Sequence, residues 1–267
     1  MILNTSYFIC PVCGSKMFEV KNSLRCFSGH SFDISKDGYV NLLMKNAANK
    51  RHGDDKLMVS ARKSFLDKGY YSTLRQNIAK VLGSDNIVLD SGCGEGYYTS
   101  LFAENNTVLG IDISKDALKY AAKRCKKATF AVASISDIPL PDSSVDAVLN
   151  IFAPDSTKEF SRVLKNDGRL IEVLPLENHL FELKEKIYKN PYKNPIPEYE
   201  KTGFKLQSVT EVKYKINLEN NEDINALFKM TPYYYKTSRD DQQKVENLTE
   251  LLVSLEFAIA EYKKFNF

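Results

Sequence analysis

The sequence predicts an α/β protein: a mostly parallel, doubly wound sheet of seven strands, preceded by a small β-rich module stapled by a metal. Three observations carry this. From Asn86 onward, short apolar runs of strand length alternate with amphipathic stretches of helical period. The first of these runs passes directly into a glycine-rich turn, Asp90-Ser91-Gly92-Cys93-Gly94-Glu95-Gly96. The first 42 residues, too few to bury a core of their own, carry four side chains of metal-ligand type at tight spacing.

Taken in order, residues 1–42 are punctuated by Cys and Gly and alternate in Ser31-Phe32-Asp33-Ile34 and Tyr39-Val40-Asn41-Leu42, as short strands do. Cys10, Cys13, Cys26 and His30 form C-x2-C-x12-C-x3-H. Two tight pairs on opposing turns supply the four thiolate or imidazole ligands that tetrahedral zinc requires. A filled shell makes the zinc structural rather than catalytic. Cys93 in the glycine turn and Cys125 at a helix end read as small packing residues.

Residues 43–60, with few large apolar groups, read as an exposed basic connector in which His52 is a solvated loop residue. The main domain is expected over 61–267. Leu57, Ala61 and Phe65, then Leu74, Ile78, Val81 and Leu82, predict two helices separated at Gly69. The expected strands are 87–90, 108–112, 129–132, 145–150 and 169–174, with helices over 97–104 and 114–127, the latter opened by a Ser114 cap. The runs 206–216 and 255–265 predict a terminal antiparallel hairpin, joined by helical stretches over 223–229 and 240–252.

Composition narrows the function classes. At 267 residues with 43% hydrophobic side chains, the chain can build a sizeable core. Its start lacks the basic and apolar regions of a signal peptide, and no apolar stretch approaches membrane-spanning length, so a cytosolic protein with no membrane partner is expected. In that compartment five cysteines argue for metal rather than disulfides. Net charge is only +3, but residues 1–82 hold 13 Lys and Arg against 6 Asp and Glu. The basic end is therefore the candidate for a polyanionic partner, the plainer alternative being a solvated surface.

The turn carries the chemistry. Glycines there let the backbone bend sharply and let a ligand approach without Cβ obstruction. Asp112, at the end of the next strand, is placed to accept both hydroxyls of a ribose. A nicotinamide enzyme shares that geometry, but its G-x-G-x-x-G fingerprint places the third glycine one residue further on. The D-x-G-x-G-x-G spacing instead resembles the first motif of Rossmann-like class I methyltransferases, which hold S-adenosylmethionine. The stretch 138–146 resembles the segment before the fourth strand of the same superfamily. Many members place an Asp against adenine where this chain has Ser134, so backbone and apolar contacts are expected to share that task.

The zinc-ligand cluster and the glycine turn, in this order and with this linker, resemble the bacterial 23S rRNA guanine-N1-methyltransferase family over nearly the whole chain. The resemblance includes Cys10 to His30, Gly38-Tyr39-Val40-Asn41-Leu42-Leu43, Ala61-Arg62, Phe65-Leu66-Asp67, Gly92 to Tyr98, Ala153-Pro154 and Met230-Thr231-Pro232. It implies methyl transfer from S-adenosylmethionine to a guanine N1 in a domain II hairpin, structural zinc on Cys10, Cys13, Cys26 and His30, and a homodimer. It also implies cofactor contacts at Tyr71, Gly94, Glu95 and His179, adding to Asp90, Gly92, Gly96, Asp112 and Ser134. Residue reasoning alone reads Tyr71 as a core tyrosine and His179 as a surface histidine. The family has two groups that choose different guanines, one linked to macrolide resistance, and the sequence leaves this chain's group open.

Guanine N1 lies on the pairing edge and carries a proton, so the base must be exposed or flipped and the proton removed. Asp155 is the candidate general base by motif position, and Phe152 and Tyr233 are the candidate stacking partners. Lys45, Lys50, Arg51, Lys56, Arg62 and Lys63 are the candidate phosphate contacts. Two other readings remain at this point: a methyltransferase for another RNA or for a small molecule, the latter having little use for a zinc module, and a cofactor-inactive RNA-binding protein, which has no need of the intact turn.

Overall fold

The computed structural model describes residues 5–44 and 54–265. Strands β1 (Met17–Val20), β2 (Ser23–Cys26) and β3 (Ser31–Asp33) form a small antiparallel sheet. Strand β4 (Tyr39–Asn41) leaves that sheet. Helices α1 (Lys56–Asp67) and α2 (Ser72–Leu82) follow, with Asp55 Oδ1 accepting from Met58 N at 2.9 Å to cap the first. The main domain then alternates: β5 (Ile87–Ser91), α3 (Tyr97–Phe102), β6 (Thr107–Asp112), α4 (Lys115–Arg124), β7 (Thr129–Val132), β8 (Val145–Ile151), α5 (Thr157–Val163), β9 (Leu164–Pro175) and α6 (Phe181–Ile187). It closes with β10 (Phe204–Leu218), α7 (Asn221–Lys229), α8 (Tyr233–Lys236), α9 (Arg239–Glu246) and β11 (Leu251–Lys264).

The large sheet has the order β10-β11-β9-β8-β5-β6-β7-β4. Pairs from β9 through β4 are parallel, while β11 runs antiparallel to both β9 and β10. Helices cover both faces, which is why β5, β7 and β8 read as nearly continuous apolar runs. Strand order reverses about β5, with β6 on one side and β8 on the other. In open parallel sheets the crevice at the carboxyl ends of such a pair is where ligands bind.

Seven strands match expectation, and the eighth comes from the segment assigned to the zinc module. Val40 pairs with Ala131, and Leu42 N donates to Val132 O at 2.9 Å. Without β4, β7 would expose a row of unpaired backbone groups, the liability of every edge strand. The module is continuous with the main domain in packing as well. Phe8 and Leu24 are fully buried in one core with Leu109, Val148 and Phe160. Ser114 caps α4 as expected, its Oγ accepting from Ala117 N. The helix expected over 240–252 ends earlier, at Glu246, because Leu251 and Val253 are already buried as strand residues.

Candidate active site and metal centre

Zinc–sulfur bonds of about 2.3 Å at tetrahedral angles place two sulfurs roughly 3.8 Å apart. Cys13 Sγ and Cys26 Sγ lie 3.7 Å apart. His30 Nδ1 lies 3.3 Å from Cys26 Sγ and 3.5 Å from Cys10 Sγ, and all four ligand atoms fall within 4.8 Å of one another. Bonding to Ser15 lowers the Cys13 thiol to about 5, which suits a thiolate ligand. The donor set and its spacing fit structural zinc, held by these four residues.

The three glycines of the turn have different reasons to be glycine. All have positive φ: Gly92 +77°, Gly94 +55° and Gly96 +79°. A Cβ on Gly92 would stand 2.5 Å from Ala153 Cβ, and one on Gly96 would stand 2.9 Å from Ala121 Cα. These two let the turn close against the β8 loop and against α4. A Cβ on Gly94 would meet only Arg62 Nη1, at 4.0 Å. Gly94 therefore borders open space, on the ligand side.

Around that space the acids are fixed. Asp112 accepts from Gly94 N through Oδ2 at 2.9 Å and from Ser114 N through Oδ1 at 2.7 Å, leaving further lone pairs for a diol. Burial raises its pKa against these bonds. Asp90 lies beneath the turn, bonded to Thr99 Oγ1 at 2.6 Å, and burial pushes it up to about 7. Glu95 is buried and its pKa raised by that burial, with Arg62 and its own backbone N–H acting the other way. Glu95 Oε1, Ser91 Oγ and Tyr98 Oη are buried with no hydrogen-bond partner among the described residues. Orphaned polar atoms around a glycine cradle suit a polar ligand, since each costs free energy while unpaired.

Arg62, expected among the phosphate contacts, faces this turn. It pairs with Asp54, and burial acts on its pKa first, outweighed by the charges of Asp54, Glu95 and Asp112, so that it is raised. Its Nη2 reaches Met230 O at 3.4 Å, tying α1 to Met230-Thr231-Pro232. Lys63 is paired with Asp67 at 2.6 Å, and Lys56 is exposed at the start of α1. Lys45, Lys50, Arg51 and His52 lie outside the described residues.

Three sequence-named residues converge on Phe257 of β11. Ring centroids lie 5.3 Å from it for Tyr71, 4.5 Å for His179 and 5.6 Å for Phe152. Tyr71 is buried, as the plain residue reading expects, and burial raises its phenol. His179 is buried rather than at the surface, its Nδ1 accepting from Glu256 N at 3.3 Å. Burial, with the Lys184 charge, lowers it to about 3, so it is a neutral imidazole at ordinary pH. Phe152 is 47% exposed with φ +56°, a conformation costly for a large side chain. Phe257 itself escaped sequence reasoning, because one aromatic in an apolar strand looks like any other core residue.

Ser134 lies where β7 has ended, with its Oγ 2.7 Å from Ser136 Oγ and accepting from Ser136 N. Tyr233 packs against the same core but makes no ring contact with Phe257. Its Oη donates to Asn194 Oδ1 at 3.4 Å, and Asn194 Nδ2 donates to His179 O at 3.0 Å. Asp155 is ion-paired with Lys201 at 2.5 Å and accepts from Thr157 Oγ1 at 2.8 Å. Burial acts upward on its carboxyl, but Lys201 and Thr157 outweigh it and lower the pKa. A carboxylate so held is a weaker base than a free one, contrary to the role its motif position suggested.

The carboxylate at the end of β6 is common to both classes, and the G-x-G-x-G spacing of the turn, with Gly96 packed on α4 in place of the G-x-G-x-x-G fingerprint, separates this site from dinucleotide enzymes. Fold and site together define the class, a Rossmann-like S-adenosylmethionine-dependent methyltransferase. Residues 89–171 match the methyltransferase domain family model, and residues 8–51 match the zinc-ribbon model described as RlmA, N-terminal. Over 255 residues the chain is 33% identical to YxjB of Bacillus subtilis, covering 88% of this chain and 89% of that one. YxjB is named, provisionally, a 23S rRNA (guanine-N1)-methyltransferase. The 23S rRNA (guanine(748)-N(1))-methyltransferase of Streptomyces fradiae is 36% identical over 187 residues, 66% of each chain. The chain belongs to the 23S rRNA (guanine-N1)-methyltransferase family. The crystal structure of YcgJ from Bacillus subtilis, 15% identical, shares its fold with a TM-score of 0.52 over 74% of this chain and all of YcgJ.

Proposed function

We propose that this enzyme methylates N1 of a guanine in a domain II hairpin of 23S rRNA. The observation that carries the reading is Phe152. This aromatic ring, half exposed on strained backbone, follows β8 directly, and the next residue, Ala153, packs on Gly92 of the cofactor turn. An exposed ring there can stack against a base lifted out of its helix, presenting the pairing edge to the crevice. Tyr71, Gly94, Glu95, Asp112 and His179 hold the cofactor, whose sulfonium supplies an electrophilic methyl group when bound. The protein's share is alignment, exclusion of water and disposal of the N1 proton. With Asp155 tied to Lys201, its role is to fix the loop after Phe152.

A domain II transcript incubated with the enzyme and S-adenosylmethionine gains a single primer-extension stop at a guanine, because methylated N1 cannot pair. A transcript without a new stop refutes the substrate assignment. A homodimer accompanies this reading and is checked by light scattering in solution.

A further inference from the structure

Between α6 and β10, residues 188–203 form neither helix nor strand, yet they are fastened at both ends. The segment opens on a tandem repeat, Tyr188-Lys189-Asn190-Pro191 then Tyr192-Lys193-Asn194-Pro195, and its prolines keep it extended. At one end, Lys184 of α6 is 1% exposed and makes no ion pair among the described residues. Its Nζ donates to Asn194 Oδ1 at 2.6 Å and Tyr192 O at 3.1 Å, and lies 4.6 Å from the centre of the Tyr192 ring. Asn194 Nδ2 in turn donates to Leu176 O at 2.9 Å and to His179 O. At the other end, Lys201 bridges Asp155 and the buried Glu172, at 2.5 and 2.9 Å. The strap is thus pinned on one side to the residue that packs on Phe257 and on the other to the loop after Phe152.

Its free face is basic and aromatic. Tyr192 is 56% exposed and stacks at 5.7 Å on Tyr188. Lys186, Lys189 and Lys193 are exposed and make no ion pair among the described residues, and positions 186–197 contain no Asp or Glu. A ring held by a buried lysine beneath it, flanked by uncompensated cations, combines the two elements of single-strand recognition: a stacking platform and a phosphate-neutralising edge.

Resting on the rRNA reading above, we infer that this strap grips the single-stranded RNA beside the target guanine, with a base on Tyr192 and phosphates on Lys189 and Lys193. Binding of the domain II hairpin transcript is measured by fluorescence anisotropy over a range of salt concentrations, with methylation of the same transcript followed in parallel. Tyr192→Ala is expected to weaken binding roughly 5- to 150-fold, and Tyr192→Phe to bind like wild type. The double variant Lys189→Gln/Lys193→Gln is expected to flatten the log–log salt slope by about 1.4, at about 0.7 per lost single-strand phosphate contact. S-adenosylmethionine titration stays unchanged in all three, and the thermal midpoint in Tyr192→Phe and in the lysine double variant. If the wild type methylates the transcript but the variants keep its affinity and salt slope, the strap assignment is overturned while the substrate reading stands. A wild type that neither binds nor methylates the transcript overturns both.

Discussion

Replacing Gly92 and Gly94 separately by alanine tests whether the turn's glycines serve the fold or the ligand. At Gly92 the new Cβ would stand 2.5 Å from Ala153 Cβ, where unstrained carbons sit about 3.5–4.0 Å apart, and φ is +77°. Left-handed backbone costs an alanine about 1–2 kcal/mol, and forcing a methyl into a packed contact about 1–3 kcal/mol more. Gly92→Ala should therefore lose about 2–5 kcal/mol, lowering Tm by on the order of 10 °C for a chain of this size. At Gly94, φ is +55° and nothing nearer than Arg62 Nη1 at 4.0 Å meets the Cβ. Gly94→Ala should lose only about 1–2 kcal/mol but bind S-adenosylmethionine at least roughly tenfold more weakly, because the methyl occupies ligand space. Calorimetric unfolding and cofactor titration on both variants provide the readout. A Gly92→Ala protein as stable as wild type, or a Gly94→Ala protein with wild-type cofactor affinity, refutes the division of roles.

The buried His179, lowered to about 3, should make stability depend on pH. The unfolded chain takes up its proton near 6.5 and the folded chain does not, so this contribution is complete above 6.5 and is lost as pH falls, at up to about 1.4 kcal/mol per unit. Asp90, raised to about 7, acts with the opposite sign over much of that range. The measurement is therefore the difference between wild type and His179→Phe in urea unfolding at pH 6.5 and 5.0, and an identical pH dependence in the two would rule out a buried neutral histidine. Removing zinc with a chelator, or by Cys26→Ser, should leave one metal fewer per chain by mass spectrometry and lower the thermal midpoint, because Phe8 and Leu24 share a core with the main domain. A midpoint insensitive to zinc would contradict that shared core. Asp155→Asn should leave the pH profile of turnover unmoved, since the carboxyl is already committed to Lys201 and Thr157. Loss of the profile's acidic limb would restore Asp155 as the base.

Sequence alone determined the class of fold, the cofactor turn and the metal ligands, because each is written in local spacing. Strand, glycine turn and helix are contiguous from Ile87 to Phe102, and the four zinc ligands lie within 21 residues, from Cys10 to His30. The resemblance to relatives supplied Tyr71 and His179, which no local pattern marks. Tertiary structure alone decided which residues meet. It paired Tyr39–Asn41 with Thr129–Val132, turned Arg62 toward Gly94, gathered Tyr71, Phe152 and His179 around Phe257, and bound Asp155 to Lys201. These partners lie from tens to nearly two hundred positions apart. Hydrophobic periodicity reports which face of an element is buried, but not the element it is buried against. An unpaired strand edge, a buried carboxylate or an open side of a glycine turn arises only when the chain closes on itself, and the free energy of leaving each unsatisfied selects the distant residue that satisfies it.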